Sequence, residues 1–186
     1  VEHSANTLLV LDQWSGVGSG VDHFLLVTTV HVFGMAMVVD GKIYRGSRGV
    51  AGEFGHTIVD RDGPLCRCGA KACLEAICGN NAILRDAEEA LKRGFWKRKQ
   101  EGPLKIEEIL EEAKNGNKEL IAIYRNVGEK LGIGLSNLHK LLDPEKIIIS
   151  GKGVLAEDLL FTPMKKTLHK DISFQVDAST RLHIQK

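Results

Sequence analysis

The chain has 186 residues, of which 43% are hydrophobic and 26% charged, as in ordinary globular proteins. That composition excludes a disordered tail, a collagen-like fibre and a coiled-coil rod. Lys and Arg number 25 against 24 for Asp and Glu, so the formal net charge is +1. A domain whose main surface binds nucleic acid is usually much more basic. No apolar run approaches the roughly 20 residues that span a bilayer, and no secretory signal precedes the first polar residues.

The first part of the chain predicts one helix followed by a small sheet. Apolar side chains over Ala5–Gln13 predict a helix, and the β-branched and apolar run Phe24–Val30 predicts a buried strand. Gly34–Val39 predicts a second strand, and Asp40-Gly41 is a strong hairpin sequence that would return the chain through Lys42–Tyr44. Arg45–Cys73 is rich in glycine and predicts a long loop.

The second part is mainly helical. Helices are predicted over Asn81–Arg93, Ile106–Ala113, Asn117–Leu142 and Leu155–His169, and strands over Lys146–Ile149 and Arg181–Gln185. In the longest helix, Gly128 and Gly132 lie one turn apart and could let another backbone approach closely. Strands first, then helices, then a strand, a glycine turn and a helix indicate a layered α/β domain.

Three of the four cysteines are crowded together in the long loop. With His56 they form the pattern H-x9-C-x-C-x4-C, through Cys66, Cys68 and Cys73. Thiolate sulfur and imidazole nitrogen are the ligands that zinc prefers, and Cys3His is a standard structural set. The alternatives are free thiols or a chance disulfide. Cys78 lies apart from this group and is expected to be a small buried side chain.

The cysteine cluster belongs to a longer pattern. Gly52-Glu53-Phe54-Gly55-His56 is followed by Cys66-Arg67-Cys68-Gly69 and then by Cys73-Leu74-Glu75. This resembles the motifs of the ROK family of repressors, open reading frames and sugar kinases, which read E-x-G-H and then C-x-C-G-x-x-G-C-L-E. Ala72 replaces the last glycine of that pattern. The resemblance continues in the hairpin 40–46 and in the run 143–149.

The resemblance implies an actin/hexokinase-like (ribonuclease H-like) α/β fold, of which this chain would be mainly the C-terminal lobe with a zinc-clamped loop. Residues 1–186 would form one effector domain, for sugar binding and oligomerisation, that looks truncated at both ends. A DNA-binding head would lie upstream of Val1. We therefore expect a cytoplasmic protein that forms a homodimer or higher homo-oligomer, binds a sugar or sugar-derivative effector, contacts DNA only through the absent segment and has no membrane partner.

The same resemblance assigns the sugar contacts. In the family, the glutamate and histidine of E-x-G-H and the glutamate of C-L-E hydrogen-bond sugar hydroxyls, which places these roles on Glu53, His56 and Glu75. Carboxylates accept from paired hydroxyls, and a histidine bound to zinc through one nitrogen can present the other to a ligand. The alternative is that Glu53 and Glu75 are solvated loop carboxylates.

The kinase residues of the family are missing at two places. Ser4 stands where the family has the aspartate base, and His3 stands at the preceding asparagine position. An unassisted serine hydroxyl is too weak a base. In Val30–Ala36 only Gly34 remains of the glycine-rich phosphate loop. The sequence therefore predicts no catalytic residue and a sugar-sensing effector domain of a repressor. The alternatives are an ATP-dependent sugar kinase and a structural remnant that only dimerises.

The run Lys92–Lys99 is basic and contains Phe95 and Trp96. Such a run could contact nucleic acid or a partner. The neutral overall charge favours a solvated helix end and loop instead.

Overall fold

The computed structural model describes residues 4–29, 33–98, 101–172 and 181–185. Six helices lie within these ranges: α1 (Ser4–Ser15), α2 (Leu74–Cys78), α3 (Asn80–Lys92), α4 (Ile106–Lys114), α5 (Lys118–Leu142) and α6 (Asp158–Ile172). Five strands lie among them: β1 (Phe24–Thr28), β2 (Gly34–Val39), β3 (Lys42–Ile43), β4 (Lys146–Ser150) and β5 (Arg181–Ile184). Short 3₁₀ turns cover Phe54–His56 and Lys152–Ala156. The predicted layered α/β domain is confirmed.

The five strands form one mixed sheet in the order β3-β2-β1-β4-β5. β1 pairs with β2 antiparallel and with β4 parallel, and β4 pairs with β5 parallel. The hairpin between β2 and β3 turns at Asp40, whose φ is 51°, and Gly41, whose φ is 70°, as the sequence Asp-Gly favours. β1 therefore lies at the centre, where it is paired on both edges.

Both faces of the sheet are covered, and successive strand residues divide between them. One face joins the large core with α2 to α6 and carries Leu25, Val27, Met35, Met37, Ile147 and Ile149. The other face packs on Ala5 and Leu9 of α1 and carries Phe24, Leu26, Ala36, Val38 and Ile148. This two-sided burial explains why the central strands are nearly continuous apolar runs rather than alternating ones.

Helix α5 is the longest element and begins and ends with clear caps. The Asn117 side chain accepts hydrogen bonds from the backbone N–H groups of Glu119 and Leu120 at 3.1 and 3.2 Å, which satisfies free donors of the first turn. Asp143 closes the helix in the left-handed region with φ of 42°, and Pro144 follows it. The predicted helix Asn117–Leu142 is thus confirmed, with Asn117 as its cap.

Close packing of α5 against α6 depends on two glycines. A side chain at Gly128 would collide with the Leu160 carbonyl oxygen, and a Cβ at Gly132 would lie 2.6 Å from that of Met164. The sequence prediction that another backbone approaches here is confirmed, and the partner is α6.

Two elements differ from the sequence predictions. The helix expected over Leu155–His169 begins only at Asp158, because Lys152–Ala156 forms a 3₁₀ turn first. The five-residue helix α2 lies immediately after the predicted loop Arg45–Cys73 and was not predicted, since it is too short to show a helical period. Val30, the last residue of the predicted first strand, lies outside the described residues. Among the described residues, no helix combines the length and the apolar character that crossing a bilayer requires.

The α5–α6 contact gives a direct test. Gly128→Ala should lower the free energy of unfolding by about 1–3 kcal/mol, because the added methyl group meets backbone that cannot move aside cheaply. Glu129→Ala, on the exposed neighbouring position, should change it by less than about 0.5 kcal/mol. Urea unfolding of the two variants measures this difference. Equal stability of Gly128→Ala and the parent would show that α5 and α6 can move apart to make room for the added methyl group, which would contradict the close packing.

Candidate metal centre and ligand site

The long loop is held against the start of β2 by backbone hydrogen bonds. The Met35 N–H donates to the Gly52 carbonyl at 3.0 Å, and the Gly55 N–H donates to the Phe33 carbonyl at 3.1 Å. Gly52 has φ of 100°, and a side chain there would collide with the Met35 carbonyl. Only glycine allows the backbone at residue 52 to come this close to the Met35 carbonyl. The contact fixes the path of the chain just before Glu53 and His56.

The four residues predicted as metal ligands converge. Their donor atoms all lie within 4.8 Å of one another, although His56 and Cys73 are separated by 17 positions. Cys66 Sγ lies 3.6 Å from His56 Nδ1, and Cys68 Sγ lies 3.6 Å from Cys73 Sγ. A disulfide requires sulfur atoms about 2.05 Å apart, and all four cysteines of the chain are free. The arrangement therefore does not fit the disulfide alternative.

The separations match those expected around a tetrahedral metal ion. With Zn–S bonds of about 2.3 Å and Zn–N bonds of about 2.0–2.1 Å, neighbouring ligand atoms lie about 3.5–3.8 Å apart. The Cys66–His56 and Cys68–Cys73 pairs, both at 3.6 Å, fall in this range. His56, Cys66, Cys68 and Cys73 would hold such an ion, and three thiols with one imidazole favour zinc.

The thiols of the cluster differ in acidity. Hydrogen bonding from the Ala70 backbone N–H, and secondarily from Cys73, lowers the pKa of Cys68. Burial, with the neighbouring thiols adding to it, raises the pKa of Cys73 to about 12. Crowded thiols without a cation therefore resist joint ionisation. A divalent cation reverses this by stabilising each thiolate.

Turns within the loop bring Cys66, Cys68 and Cys73 back towards His56. The Ala72 N–H donates to the Pro64 carbonyl at 2.8 Å, and the Cys66 N–H donates to the Ala70 carbonyl at 2.7 Å. Ala72, where the resembling motif has glycine, has φ of 61°, a left-handed conformation that costs a residue with a Cβ about 1–2 kcal/mol. The chain thus keeps the turn despite the substitution.

The two nitrogens of His56 face different neighbours. Nδ1 faces the cysteines, whereas Nε2 lies 3.8 Å from the Glu53 carboxylate. The structure therefore brings together two of the predicted sugar-binding residues. An ion held through Nδ1 would fix the ring and leave Nε2 directed towards Glu53.

Glu75 is placed on the other side of the cysteine turn. It lies in the first turn of α2, whose N-cap is Cys73. Its side chain is only 15% exposed and pairs with Arg67, with Nε 2.7 Å from Oε1 and Nη2 3.3 Å from Oε2. Both residues line a polar cavity of about 400 Å³ together with Cys66 and Arg85. The lining of this cavity includes neither Glu53 nor His56.

Contacts with α5 anchor the loop to the core. The buried Phe54 ring packs against Gly134. The Asp60 carboxylate pairs with Lys130 at 2.5 Å. The hydrogen bond from Lys130, and those from the backbone N–H groups of Asp62 and Arg61, hold the pKa of Asp60 below its usual range. These contacts fix the loop on both sides of His56.

The kinase-related positions are only partly described. Ser4 is the first residue of α1. His3 and the run Val30–Val32 lie outside the described residues. Asp12, the nearest acid on α1, is buried and lies eight residues further along, or about 12 Å along the helix axis. It is thus far from the position where the family places its base.

Two residues of the basic run are built into the fold. Trp96 is 4% exposed and donates from Nε1 to the Ala87 carbonyl at 2.9 Å. Arg98 forms a two-pronged pair with Glu108 at 2.8 and 2.9 Å. These contacts support the interpretation of this run as a helix end and loop. Lys99 lies outside the described residues.

Sequence reasoning missed the partner of Glu75 and the anchor at Asp60. Arg67 lies between two predicted ligands, and its position within C-x-C could have drawn attention to it. Nothing in the sequence links Asp60 to Lys130, which lies 70 residues away. Cys78, by contrast, is buried as expected and donates to the Val127 carbonyl at 3.5 Å.

With this geometry in place, comparison with known proteins identifies the family. The chain matches the ROK family profile over residues 1–183. It is 31% identical over 172 residues to a glucokinase of Halalkalibacterium halodurans, which covers 89% of this chain and 52% of that protein. It is 27% identical over 176 residues to a xylose repressor of Caldicellulosiruptor bescii, which covers 91% of this chain and 44% of that protein.

A solved structure supports the same family assignment. The ROK hexokinase from Thermus thermophilus matches with a TM-score of 0.87 and 26% sequence identity, over 100% of this chain and 61% of that one. The chain therefore belongs to the ROK family, and its mixed-sheet α/β architecture is the ROK hexokinase-like fold. It spans about half the length of the curated relatives it matches. These relatives include both kinases and repressors.

The cluster geometry predicts about one zinc ion per chain in protein purified without added metal. Cys68→Ser should remove most of it, because a structural site needs all its ligands. Cys78→Ala changes a thiol outside the cluster and should keep the full metal content. Elemental analysis with thiol titration measures both. Metal content near zero in the parent, with every thiol reactive, would refute the site.

Proposed function

We propose that this chain is the sugar-sensing effector domain of a ROK transcriptional regulator, stabilised by zinc and without kinase catalysis. The observation that carries the proposal is the arrangement at His56: Nδ1 lies 3.6 Å from Cys66 Sγ in the cysteine cluster, while Nε2 lies 3.8 Å from the Glu53 carboxylate. A ligand-binding pair is thus oriented by the residues that would hold the metal. Zinc bound there would supply rigidity and a fixed imidazole orientation, without taking part in a reaction.

The ligand class follows from the chemistry of these side chains. Glu53 and Glu75 carry carboxylates that accept hydrogen bonds, and neighbouring hydroxyls on a sugar ring donate them in pairs. His56 Nε2 adds a donor or acceptor. Glu75 is held by Arg67 in the described structure, so a sugar reaching Glu75 would have to share or replace that contact.

The absence of kinase catalysis is inferred from Ser4. The first turn of α1 offers a hydroxyl where the family has a carboxylate, and a general base contributes roughly 10²–10⁴-fold to the rate. Val30–Ala36 further replaces most of the glycines of a phosphate loop with bulky side chains. Both features favour a regulator.

A kinase is the second candidate, and two observations favour it. The glucokinase of Halalkalibacterium halodurans is 31% identical to this chain, against 27% for the xylose repressor. Gly151 also keeps a glycine turn after β4, with φ of 106°.

Oligomerisation and DNA binding belong to the proposal for the whole protein. The chain matches about half of each curated relative, so a DNA-binding segment would be supplied outside these 186 residues. Sugar binding would then alter operator affinity through the effector domain. Coupling of this kind typically amounts to about 1–3 kcal/mol.

Glu75→Gln should weaken sugar binding roughly 10-fold or more, because hydrogen bonds to a charged acceptor contribute about 1.5–3 kcal/mol. Its metal content should be unchanged, since Glu75 is not a ligand. His56→Ala should abolish both. Calorimetric titration with a panel of hexoses, pentoses and amino sugars measures affinity, with the exposed Glu88→Gln as control. Unchanged affinity in Glu75→Gln would overturn the residue assignment.

The parent protein should not phosphorylate sugars. With ATP, magnesium and the same sugar panel, a coupled assay should detect turnover far below the 1–100 s⁻¹ typical of kinases. Ser4→Asp restores the family's residue and serves as the matched comparison. Turnover near 1 s⁻¹ or above in the unmodified protein would establish the kinase instead.

A further inference from the structure

The four thiols of the chain differ in their access to solvent. Cys66, Cys73 and Cys78 are only 5%, 0% and 3% exposed, whereas Cys68 is exposed. Peroxides and other soluble oxidants must touch the sulfur atom that they attack, so accessible cysteines are the first to be oxidised. Cys68 is therefore the thiol that such an oxidant reaches first.

A buried thiol lies within reach of Cys68. The sulfur atoms of Cys68 and Cys73 are 3.6 Å apart, and a disulfide bond would bring them to about 2.05 Å. The turn has room for this movement, because Gly69 follows Cys68 with φ of 92°, and a Cβ there would meet nothing within 4 Å in the described part of the chain beyond its own neighbours. Cys66 is a poorer partner, because a single residue separates it from Cys68 and so short a loop closes only with strain.

We propose that Cys68 is a modification site at which a peroxide starts the formation of a Cys68–Cys73 disulfide, and that this bond releases the metal ion of the cluster. Thiolate sulfur is the form of cysteine that binds a metal. The disulfide would remove two of the candidate ligands and leave only His56 and Cys66, too few for a closed tetrahedral site. The cluster would then be a clamp that opens on oxidation.

The reaction balances with hydrogen peroxide as the oxidant. The Cys68 sulfur attacks one peroxide oxygen, the O–O bond breaks, and a sulfenic acid and one water form. The Cys73 sulfur then attacks the sulfenic sulfur, the S–O bond breaks, and the disulfide and a second water form. The two thiols lose two electrons and two protons, which the peroxide gains. Where thiolates bind the ion, the two protons come from solvent instead.

The disulfide would also act on the candidate ligand contact at Glu75. Cys73 is the N-cap residue of α2, and Glu75 lies in the first turn of that helix. Arg67, which pairs with Glu75 at 2.7 Å, directly precedes Cys68. Closing the bond would therefore move both members of the Arg67–Glu75 pair. Any effect on a ligand rests on the proposed sugar function, whereas the oxidation and the metal release do not.

Peptide mapping of the full chain tests the pairing. Trypsin, which cleaves after Lys and Arg, places Cys66, Cys68 and the other two cysteines on separate peptides, 62–67, 68–71 and 72–85. After treatment with hydrogen peroxide and digestion without reductant, 68–71 should be linked to 72–85, and tandem mass spectrometry should locate the bond at Cys73. Dimedone, which traps sulfenic acids, should label 68–71 more than the other two peptides. A bond from Cys68 to Cys66, a label chiefly on the other peptides, or no linked peptide would overturn the proposal.

Metal release is followed in the same samples. A chromogenic zinc indicator should detect about one ion per chain as two of the four thiols are lost, and dithiothreitol with added zinc should restore both. Cys78→Ala is the matched control, because it removes a thiol outside the cluster, and its linked peptides and zinc release should equal those of the parent. Disulfide formation with the metal retained, or release that requires Cys78, would contradict the proposal. None of these readouts uses a sugar, so either failure leaves the sugar proposal to its own tests.

Discussion

The order that we propose for the long loop depends on one imidazole and three thiols, whose donor atoms lie within 4.8 Å of one another. Between β3 and α2 the chain forms only a 3₁₀ turn and two isolated bridges, and few of its side chains enter the core. Regular secondary structure therefore contributes little there, and the loop is held by separate hydrogen bonds and by a few buried side chains such as Phe54. A bound metal ion would supply the missing free energy at a single point, as in small domains that fold only with their metal.

The cluster is joined to the core on both sides. On one side, Gly52 hydrogen-bonds to β2 and Phe54 packs on α5. On the other, Cys73 caps α2, which places Glu75 in the first turn of that helix. The mixed sheet and α5 thus form a platform, and the two carboxylates that we propose as ligand contacts, Glu53 and Glu75, are attached to it through the cluster. Movement of the cysteine turn would reach Glu75 directly, because Arg67 lies between two of the cysteines and pairs with that carboxylate.

Much of this arrangement could be predicted from the sequence, since local patterns determine it. Apolar runs predicted the central strands, and Asp40-Gly41 predicted the hairpin. The helical pattern over Asn117–Leu142 predicted α5. The four candidate ligands also came from spacing alone. Contacts between distant segments could not be predicted. α2 is too short to show a period, Trp96 is buried although the predicted helix before it ends at Arg93, and the Arg67–Glu75 pair depends on how the turn folds back.

Hydrogen–deuterium exchange, with and without a chelator that strips tightly bound zinc, tests the central role of the cluster most directly. If a metal ion clamps the loop, its removal should accelerate exchange across residues 52–79, while α5 and α6, whose packing does not involve the ligands, should keep their protection. Restored zinc should reverse the change. Identical exchange in both states, or loss of protection spread evenly over the sheet and helices, would contradict a metal clamp confined to this loop.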